Sequence, residues 1–485
     1  MNYESILKDL KPSQDEIDKV NKTTDKVISF LNKTCEEENI PAEALAVGSV
    51  AKNTWLSGKS DIDIFIHFPI TTPMEELKEK GLYLAYKAND ALNGKASEHY
   101  ASHPYLTSLI DGIEVDIVPC YKINDGSELR SAVDRTILHT KYIKKHLSSS
   151  QESEVLLLKK FMDSVGTYGS EFKTGGFAGY LCELLILTYG TFENTLREVQ
   201  NWKFHTVIDL ENYGTSDNKI FRNDPLVFID PTDKNRNVAA ALRLERMIDF
   251  IIASRNFIRL IDGDSKNQEK VLEYFKPFVK VRFQNKSNEE IANEIVDQFK
   301  DRETQTLIIK FPIPEMNADA LHPQLLKTVE SISNKLGQEE FSVYSHDYWT
   351  DEESIVIFII ELNVFKQSKY YVHEGPKVWN RKAFDNFSKK WEGDGLYHNN
   401  EFLVLERERQ FKTAKDFIKF ILDEKNVHII KVGKNIKNAL CNEYELNEVD
   451  QFLGDLSNIS SDENIQLDFL NALDDLLNPG QYLKR

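Results

Sequence analysis

The sequence predicts a multidomain α+β protein, and three observations lead there. The chain has 485 residues, enough for two to four domains of about 150 residues each. Its hydrophobic period changes along the chain: strand and helix periods mix at first, helical periods follow, and a strand–helix–strand–strand order comes last. Hydrophobic residues make up 41% and charged residues 28%, the balance of folded soluble domains. The expected division is a first α+β domain over 1–150, a helical central domain over 151–275, and an α+β C-terminal body and tail over 276–485.

The elements follow in order. Ser13-Gln14-Asp15-Glu16 is a capping box. Behind it Ile17, Val20, Val27 and Leu31 share a helical face, which predicts a helix over 14–32. Ala44 to Val50 is short and apolar and leads into a loop, 48–60. Asp61 to Phe68 alternates: Ile62, Ile64, Ile66 and Phe68 on one face, Asp61, Asp63, Phe65 and His67 on the other. Thr72-Pro73-Met74-Glu75 reads as a capped helix start with proline in its first turn. A second alternating strand runs from Ile113 to Val118 and should stop at Pro119. From 153 to 263 the pattern is helical: Val155, Leu158, Met162 and Val165 share a face, Phe177 to Tyr189 is apolar nearly all round, and Asn237 caps a helix that ends at Ile261. A Lys-rich stretch over 264–300 reads as a hinge. Beyond it come a strand at Leu307 to Phe311, a helix marked by Leu325, Val329, Ile332 and Leu336, and strands at 341–348 and 354–362. That order suggests a ferredoxin-like module. Helical pattern returns around Phe469 to Leu477.

Composition excludes several classes. No run approaches the roughly 18 apolar residues of a membrane span. The opening MNYESILKDLKPSQDE is acidic and interrupted, unlike a signal peptide. Cys35, Cys120, Cys182 and Cys441 lie far apart, with no CxxC pattern, so neither a zinc site nor a disulfide framework is expected, and a reducing cytoplasmic setting is. The net charge of −18 argues against a chain coated in nucleic acid, yet charge is segregated. Sixteen Lys and Arg stand against ten Asp and Glu between Lys366 and Lys437, whereas ten acids face only Lys484 and Arg485 beyond Cys441. A locally basic surface can follow a phosphate backbone even on an acidic protein. Tyr370, Tyr371, Trp379 and Trp391 lie among those basic residues.

The chemistry concentrates in two short strands. Asp61 and Asp63, two residues apart, project from one face of a strand. Like charges side by side are unfavourable unless a cation sits between them. Oxygen ligands with no histidine or thiol nearby suit Mg²⁺. Glu114 and Asp116 repeat the spacing on the second strand, and one of them completes the site if the strands are neighbours. Three carboxylates can hold two metals about 3.5–4 Å apart, an arrangement suited to in-line nucleotidyl displacement. Just upstream, Gly48-Ser49 forms a turn whose amides and hydroxyl can approach phosphate oxygens. A lone DxD pair is most often a solvated strand edge. The turn, the first pair and the second pair, taken jointly, are far more specific.

These residues resemble the nucleotidyltransferase superfamily related to DNA polymerase beta. More narrowly, VGSVAKNTWLSGKSDIDIFIHFP is similar to the archaeal, class I CCA-adding enzymes, as are SAVDRTILHTKYIKKHL, GTYGSEFKTGGFAGYLCELLILTYGTF, IDPTDKNRNVAAAL and YYVHEGPKVW. The resemblance is densest over 45–245 and thins towards 435. It implies template-independent addition of CCA to the tRNA 3′ end from CTP and ATP, with Mg²⁺. It also implies a polymerase beta-like head, a helical neck, a ferredoxin-like body and a helical tail, and a homodimer. By motif, Asp61, Asp63 and Asp116 would be the catalytic metal ligands and Ser49 and Lys52 would contact the triphosphate. His139, Lys159 and Tyr168 would touch the incoming nucleotide, and Arg236 would help select C and A. The tRNA acceptor stem would be read by shape. Two positions depart from the family: Lys52 stands where Arg is usual, which keeps the charge and loses the planar fork, and Asp61 stands where Glu is common.

Without the resemblance, each supporting residue has a plainer reading. His139 reads as a surface histidine, Lys159 as a lysine covering the apolar face of its helix, Tyr168 as packing at a helix end, and Arg236 as paired with Asp233. Glu183, inside the apolar helix, must be paired or protonated and is expected to have a structural partner. Two other functions stay open: a poly(A)- or oligoadenylate-type RNA-tailing enzyme, and a non-catalytic RNA-binding relative. Three retained acids argue against the latter.

Overall fold

The computed structural model describes residues 3–100, 103–215, 219–263, 268–277, 280–316 and 318–483. Helix α1 (Glu4–Leu10) is followed by α2 (Gln14–Glu37), which starts at the expected capping box: Glu16 N donates to Ser13 Oγ and Ser13 N to the Glu16 carboxylate. The helix outruns its expected end by five residues because Thr34 and Cys35 continue the buried stripe of Val20, Val27 and Leu31.

Strands β1 (Glu43–Val47) and β2 (Ile62–Phe68), helix α3 (Met74–Ala91), and strands β3 (Lys95–Tyr100), β4 (Pro104–Ile110) and β5 (Ile113–Tyr121) complete the first domain. They form one sheet in the order β1-β2-β5-β4-β3. β2 and β5 run parallel and the other pairs antiparallel. Ile62, Ile64, Ile66 and Phe68 all enter the core beneath α2 and α3. Two boundaries are corrected. Thr72 does not cap α3: Pro73 occupies the cap position, and no side chain bonds there. Strand β5 does not stop at Pro119 but runs two residues further, pairing Pro119 with Ile66. Its registered pairing with β4 reaches only Ile117, so the proline lies on a free strand edge, where a missing N–H is tolerated.

The central region contains α4 (Arg135–His146), α5 (Ser149–Ser164), α6 (Gly179–Tyr189) and α7 (Phe192–Val199). After these helices the all-helical expectation fails. Strands β6 (Thr206–Ile208), β7 (Leu226–Asp230) and β8 (Asp233–Asn237) form a three-stranded sheet before α8 (Leu244–Ile261) and α9 (Gln268–Glu273). All five residues of β7 are buried, and such a short apolar run has no period to distinguish strand from helix. Asn237 is accordingly not a helix cap. It ends β8, where its side-chain oxygen accepts from Phe228 N and Ala239 N and its amide donates to Leu226 O. Helix α1 packs into this core through Ile6 and Leu10, beside Phe161, Leu184 and Phe257.

Residues up to 279, joined by the chain end from Tyr482, form one compact unit, and Lys280–Gln481 form another. The hinge expected over 264–300 lies partly outside the described residues, and from Asn288 it is α10 (Asn288–Asp301). Strand β9 (Gln305–Pro312), helix α11 (Ala318–Gln338) and strands β10 (Val343–Thr350) and β11 (Ile355–Leu362) realise the expected β-α-β-β order. A small sheet follows: β12 (Tyr370–Lys377), α12 (Arg381–Lys390), β13 (Tyr397–Asn399) and β14 (Phe402–Glu408). Then come α13 (Ala414–Leu422), α14 (Lys437–Asn442), β15 (Glu445–Glu448), α15 (Val449–Leu453) and α16 (Glu463–Leu477). Strand β15 joins the main sheet, giving the antiparallel order β10-β11-β9-β15 of a ferredoxin-like β-α-β-β-α-β fold. Its two faces are covered separately. Leu307, Ile309 and Phe358 meet α11 and α13, whereas Ile308, Ile357 and Ile359 meet α10, α15 and α16. The acidic C-terminal segment is therefore the second wall of the body: Phe469, Leu470 and Leu473 of α16 are fully buried.

Candidate active site

Sheet register brings the acids together. Asp63 on β2 is the direct partner of Asp116 on β5, and Thr107 on β4 continues the same row. The parallel pairing chooses between the two candidates of the second strand: Asp116 joins the row, and Glu114 lies exposed near the strand start. Thr107 donates its hydroxyl to Asp116 Oδ1 at 2.5 Å. Burial, reinforced by Asp116, pushes the Asp63 carboxyl up to about 6, with Lys52 pulling the other way. Burial likewise raises Asp116, against the Thr107 hydrogen bond and with help from Asp61.

The Gly48-Ser49 turn follows directly from β1. Gly48 has φ of +71°, and a Cβ built on it would stand 1.9 Å from Asp63 Oδ2. Only glycine lets the turn pass this close to the carboxylate. The Ser49 carbonyl accepts from Lys52 N and Thr54 N, closing the turn into the short 3₁₀ segment Val50–Lys52.

Lys52 is not free. Its ammonium donates to Glu183 Oε2 at 2.6 Å, and Thr54 donates to Glu183 Oε1 at 2.5 Å. Glu183 is fully buried, so the expectation of a structural partner is met by the loop beside the acids. Lys159, also buried, donates to Thr54 O at 2.7 Å. Burial lowers the Lys159 pKa, opposed chiefly by Glu183. Gly179, at the start of α6, marks where two predicted residues meet: a Cβ there would find Tyr168 Oη at 3.3 Å and Lys159 Nζ at 3.5 Å. Tyr168 itself forms a bridge with Phe177.

A second cluster surrounds Asp230, the last residue of β7, whose side chain is fully buried. His139 Nε2 bonds Asp230 Oδ2 at 2.9 Å, and Arg236 donates to the same oxygen at 2.9 Å. The other oxygen accepts from Thr232 N, Thr232 Oγ1 and, at 3.5 Å, Tyr180 Oη. The Tyr180 ring stacks on His139 at 3.9 Å, and Lys52 Nζ lies 5.9 Å from the centre of that ring. Burial pushes Asp230 up, but His139, the Thr232 amide and Arg236 together hold it well below the usual carboxylate range. Arg236 therefore pairs with Asp230, and Asp233 stands 3.6 Å from Arg135. Sequence reasoning missed Asp230 and Tyr180. Both lay inside quoted motifs, but nothing in their spacing links them to His139, more than 40 residues upstream.

The donor set suits a hard divalent cation: carboxylate oxygens with no thiol or imidazole among them. Two carboxylates adjacent in a half-buried row are costly without such a cation. Among the described residues, no group of three Asp, Glu, His or Cys side chains is placed to hold a metal ion. Asp63 and Asp116 are neighbours, and Asp61 immediately precedes β2.

Three family models match successive stretches of the chain. They are described as the nucleotidyltransferase domain (27–139), the tRNA nucleotidyltransferase second domain (153–265) and the CCA-adding enzyme C-terminal domain (302–448). A CCA-adding enzyme of Methanothermobacter thermautotrophicus is 44% identical over 484 residues, covering 100% of this chain and 99% of that protein. One from Methanocaldococcus jannaschii is 36% identical, covering 89% and 92%. One from Methanosarcina barkeri is 33% identical, covering 92% and 93%. Among solved structures, the Cid1 poly(U) polymerase is similar with a TM-score of 0.46 and 15% identity, over 56% of this chain and 97% of that one.

Proposed function

The chain belongs to the CCA-adding enzymes, and we propose from that premise that it rebuilds tRNA 3′ ends, adding C, C and A from CTP and ATP without a template. End-to-end identity to a CCA-adding enzyme carries the reading, and the row joining Asp63 to Asp116 supports it. Asp61, Asp63 and Asp116 would hold Mg²⁺, which supplies a lowered pKa for the attacking 3′-hydroxyl and charge neutralisation for the leaving pyrophosphate.

The chain's own residues do the rest. The Gly48-Ser49 turn offers a hydroxyl and backbone N–H groups to the phosphates. Lys52 pairs with the Glu183 carboxylate and Lys159 is held by Thr54 O, so two lysine ammonium groups stand near one carboxylate, where a triphosphate would supply further negative charge. His139 and Tyr168 flank the nucleotide's sugar and base, and Arg236 donates to the ring nitrogen that C and A present. Arginine cannot accept the amino proton of either base, so that acceptor comes from backbone or RNA. The basic stretch over 366–437 follows the acceptor-stem backbone. The active species is a homodimer in a reducing compartment, which suits four free cysteines.

The test is incorporation into tRNA ending at the discriminator base, with Mg²⁺ and each labelled nucleotide alone and together. C addition from CTP alone, and A addition only after two C residues, are expected. Long homopolymer tails or efficient UTP use would make it another RNA-tailing enzyme. No incorporation would make it a non-catalytic relative.

A further inference from the structure

We propose that Asp230 is the positioning residue that sets nucleotide selectivity, by locking Arg236 and His139 in one fixed relation. The inference rests on the preceding assignment of Arg236 and His139 to the incoming nucleotide. Four observations support it. First, Asp230 is the only carboxylate within hydrogen-bond reach of both groups among the described residues, and both bond the same oxygen at 2.9 Å. A shift in either group therefore disturbs the other. Second, Oδ1 is pinned by the amide and hydroxyl of Thr232, so the carboxylate cannot rotate to follow a moving partner. Third, the anchor is remote in sequence but rigid in space: β7 is buried along its whole length, and His139 arrives from α4 with Tyr180 of α6 stacked on it at 3.9 Å. Fourth, a carboxylate can only accept, so Nε2 of His139 is the donor to Asp230 Oδ2, and the orientation of the imidazole is fixed by the same oxygen that fixes Arg236.

Selectivity is where such a device acts. Arg236 is half-exposed, with long side-chain freedom of its own. Unanchored, a guanidinium can swing to meet the carbonyl that U and G present in place of an amino group. Held by one NH to Asp230, it keeps its remaining donors in a single orientation. Discrimination by hydrogen bonding depends on leaving the wrong base unpaired, which requires that the protein donor not follow it.

The experiment measures kcat/KM for CTP and UTP on tRNA lacking CCA, for the intact protein and the variants Asp230→Asn, Arg236→Ala and their combination. Asp230→Asn is expected to reduce the CTP/UTP preference by about tenfold, a coupling of the size seen for directly bonded groups, with tRNA affinity little changed. The double variant should be no less selective than Arg236→Ala alone. Asp233→Asn, beside Arg135, should match the intact protein. If Asp230→Asn slows CTP and UTP use equally, or if its effect on selectivity multiplies with that of Arg236→Ala, the anchoring role is overturned. If Arg236→Ala leaves selectivity intact, the nucleotide assignment itself falls and takes the proposal with it. Should Asp230→Asn fail to fold, Thr232→Ala removes one bond to Oδ1 and should lower the preference by about threefold. An unchanged preference in that variant also overturns the proposal.

Discussion

Gly48 is squeezed between a turn that needs φ of +71° and a carboxylate that leaves no room for a methyl group. Gly48→Ala must therefore displace Asp63 or open the turn, and turnover is expected to fall by about two orders of magnitude without loss of fold. Asp63→Ala and Asp116→Ala should lower turnover by at least ~10³, on the order of 4 kcal/mol of barrier, with tRNA affinity nearly unchanged. A mild loss in steady-state incorporation would show these acids are not the ligands. Glu183 makes a different case. Removing its charge in Glu183→Gln leaves Lys52 and Lys159 buried together with no carboxylate, a penalty of about 3 kcal/mol. CTP binding should restore part of it, so thermal-shift measurements should show a larger CTP stabilisation in the variant than in the intact protein. Equal shifts would mean that the two ammoniums do not meet the triphosphate.

At the scale of elements, β2 carries both the chemistry and a buried histidine. His67 lies four pairs beyond Asp63 in the same register, opposite Cys120, and Nε2 has no hydrogen-bond partner among the described residues. Burial holds its pKa down at about 4, against an ordinary value near 6.5. The unfolded chain therefore binds this proton more readily than the folded one. Stability is unaffected above about pH 6.5, declines as pH falls below it, and levels off near 4 after a loss of about 3 kcal/mol. His67→Leu has no proton to gain, and its urea-unfolding free energy should be flatter between pH 6.5 and 4. The same slope in both proteins would place the titration elsewhere. Strand β5 teaches a second point. Proline was a reasonable stop signal, yet the strand continues because Pro119 falls where the neighbouring β4 pairing has ended. Proline forbids a donor, and a free edge needs none.

Across the whole molecule, charge is divided among surfaces that the −18 total conceals. Of the aromatics among the basic residues, Trp379 is 73% exposed and Tyr370 49% exposed, so neither belongs to a core. Trp391 and Tyr371 instead lie under the guanidinium groups of Arg407 and Arg409, at 4.6 and 4.9 Å. None of the residues of α12 is buried, so Arg381→Glu with Lys382→Glu should leave the melting temperature unchanged. The pair should weaken tRNA binding and flatten the slope of log Kd against log salt by about one to two, with the KM for CTP unaltered. An unchanged slope would remove this surface from the RNA path. No helix among the described residues is long and apolar enough to cross a membrane.

What the sequence by itself determined was local: the capping box at Ser13, the alternation that sets Asp61 and Asp63 on one face, the pattern of β9, α11, β10 and β11, and the family. Period, caps and motif order depend only on residues close in the chain, so they are readable there. What only the tertiary structure decided was every pairing made at a distance. Parallel register set Asp116 directly beside Asp63. Burial joined Lys52 to Glu183 across 131 positions and His139 to Asp230 across 91. Hydrogen bonding and desolvation depend on separation in space, and a chain carries no local record of which distant segment will close around it.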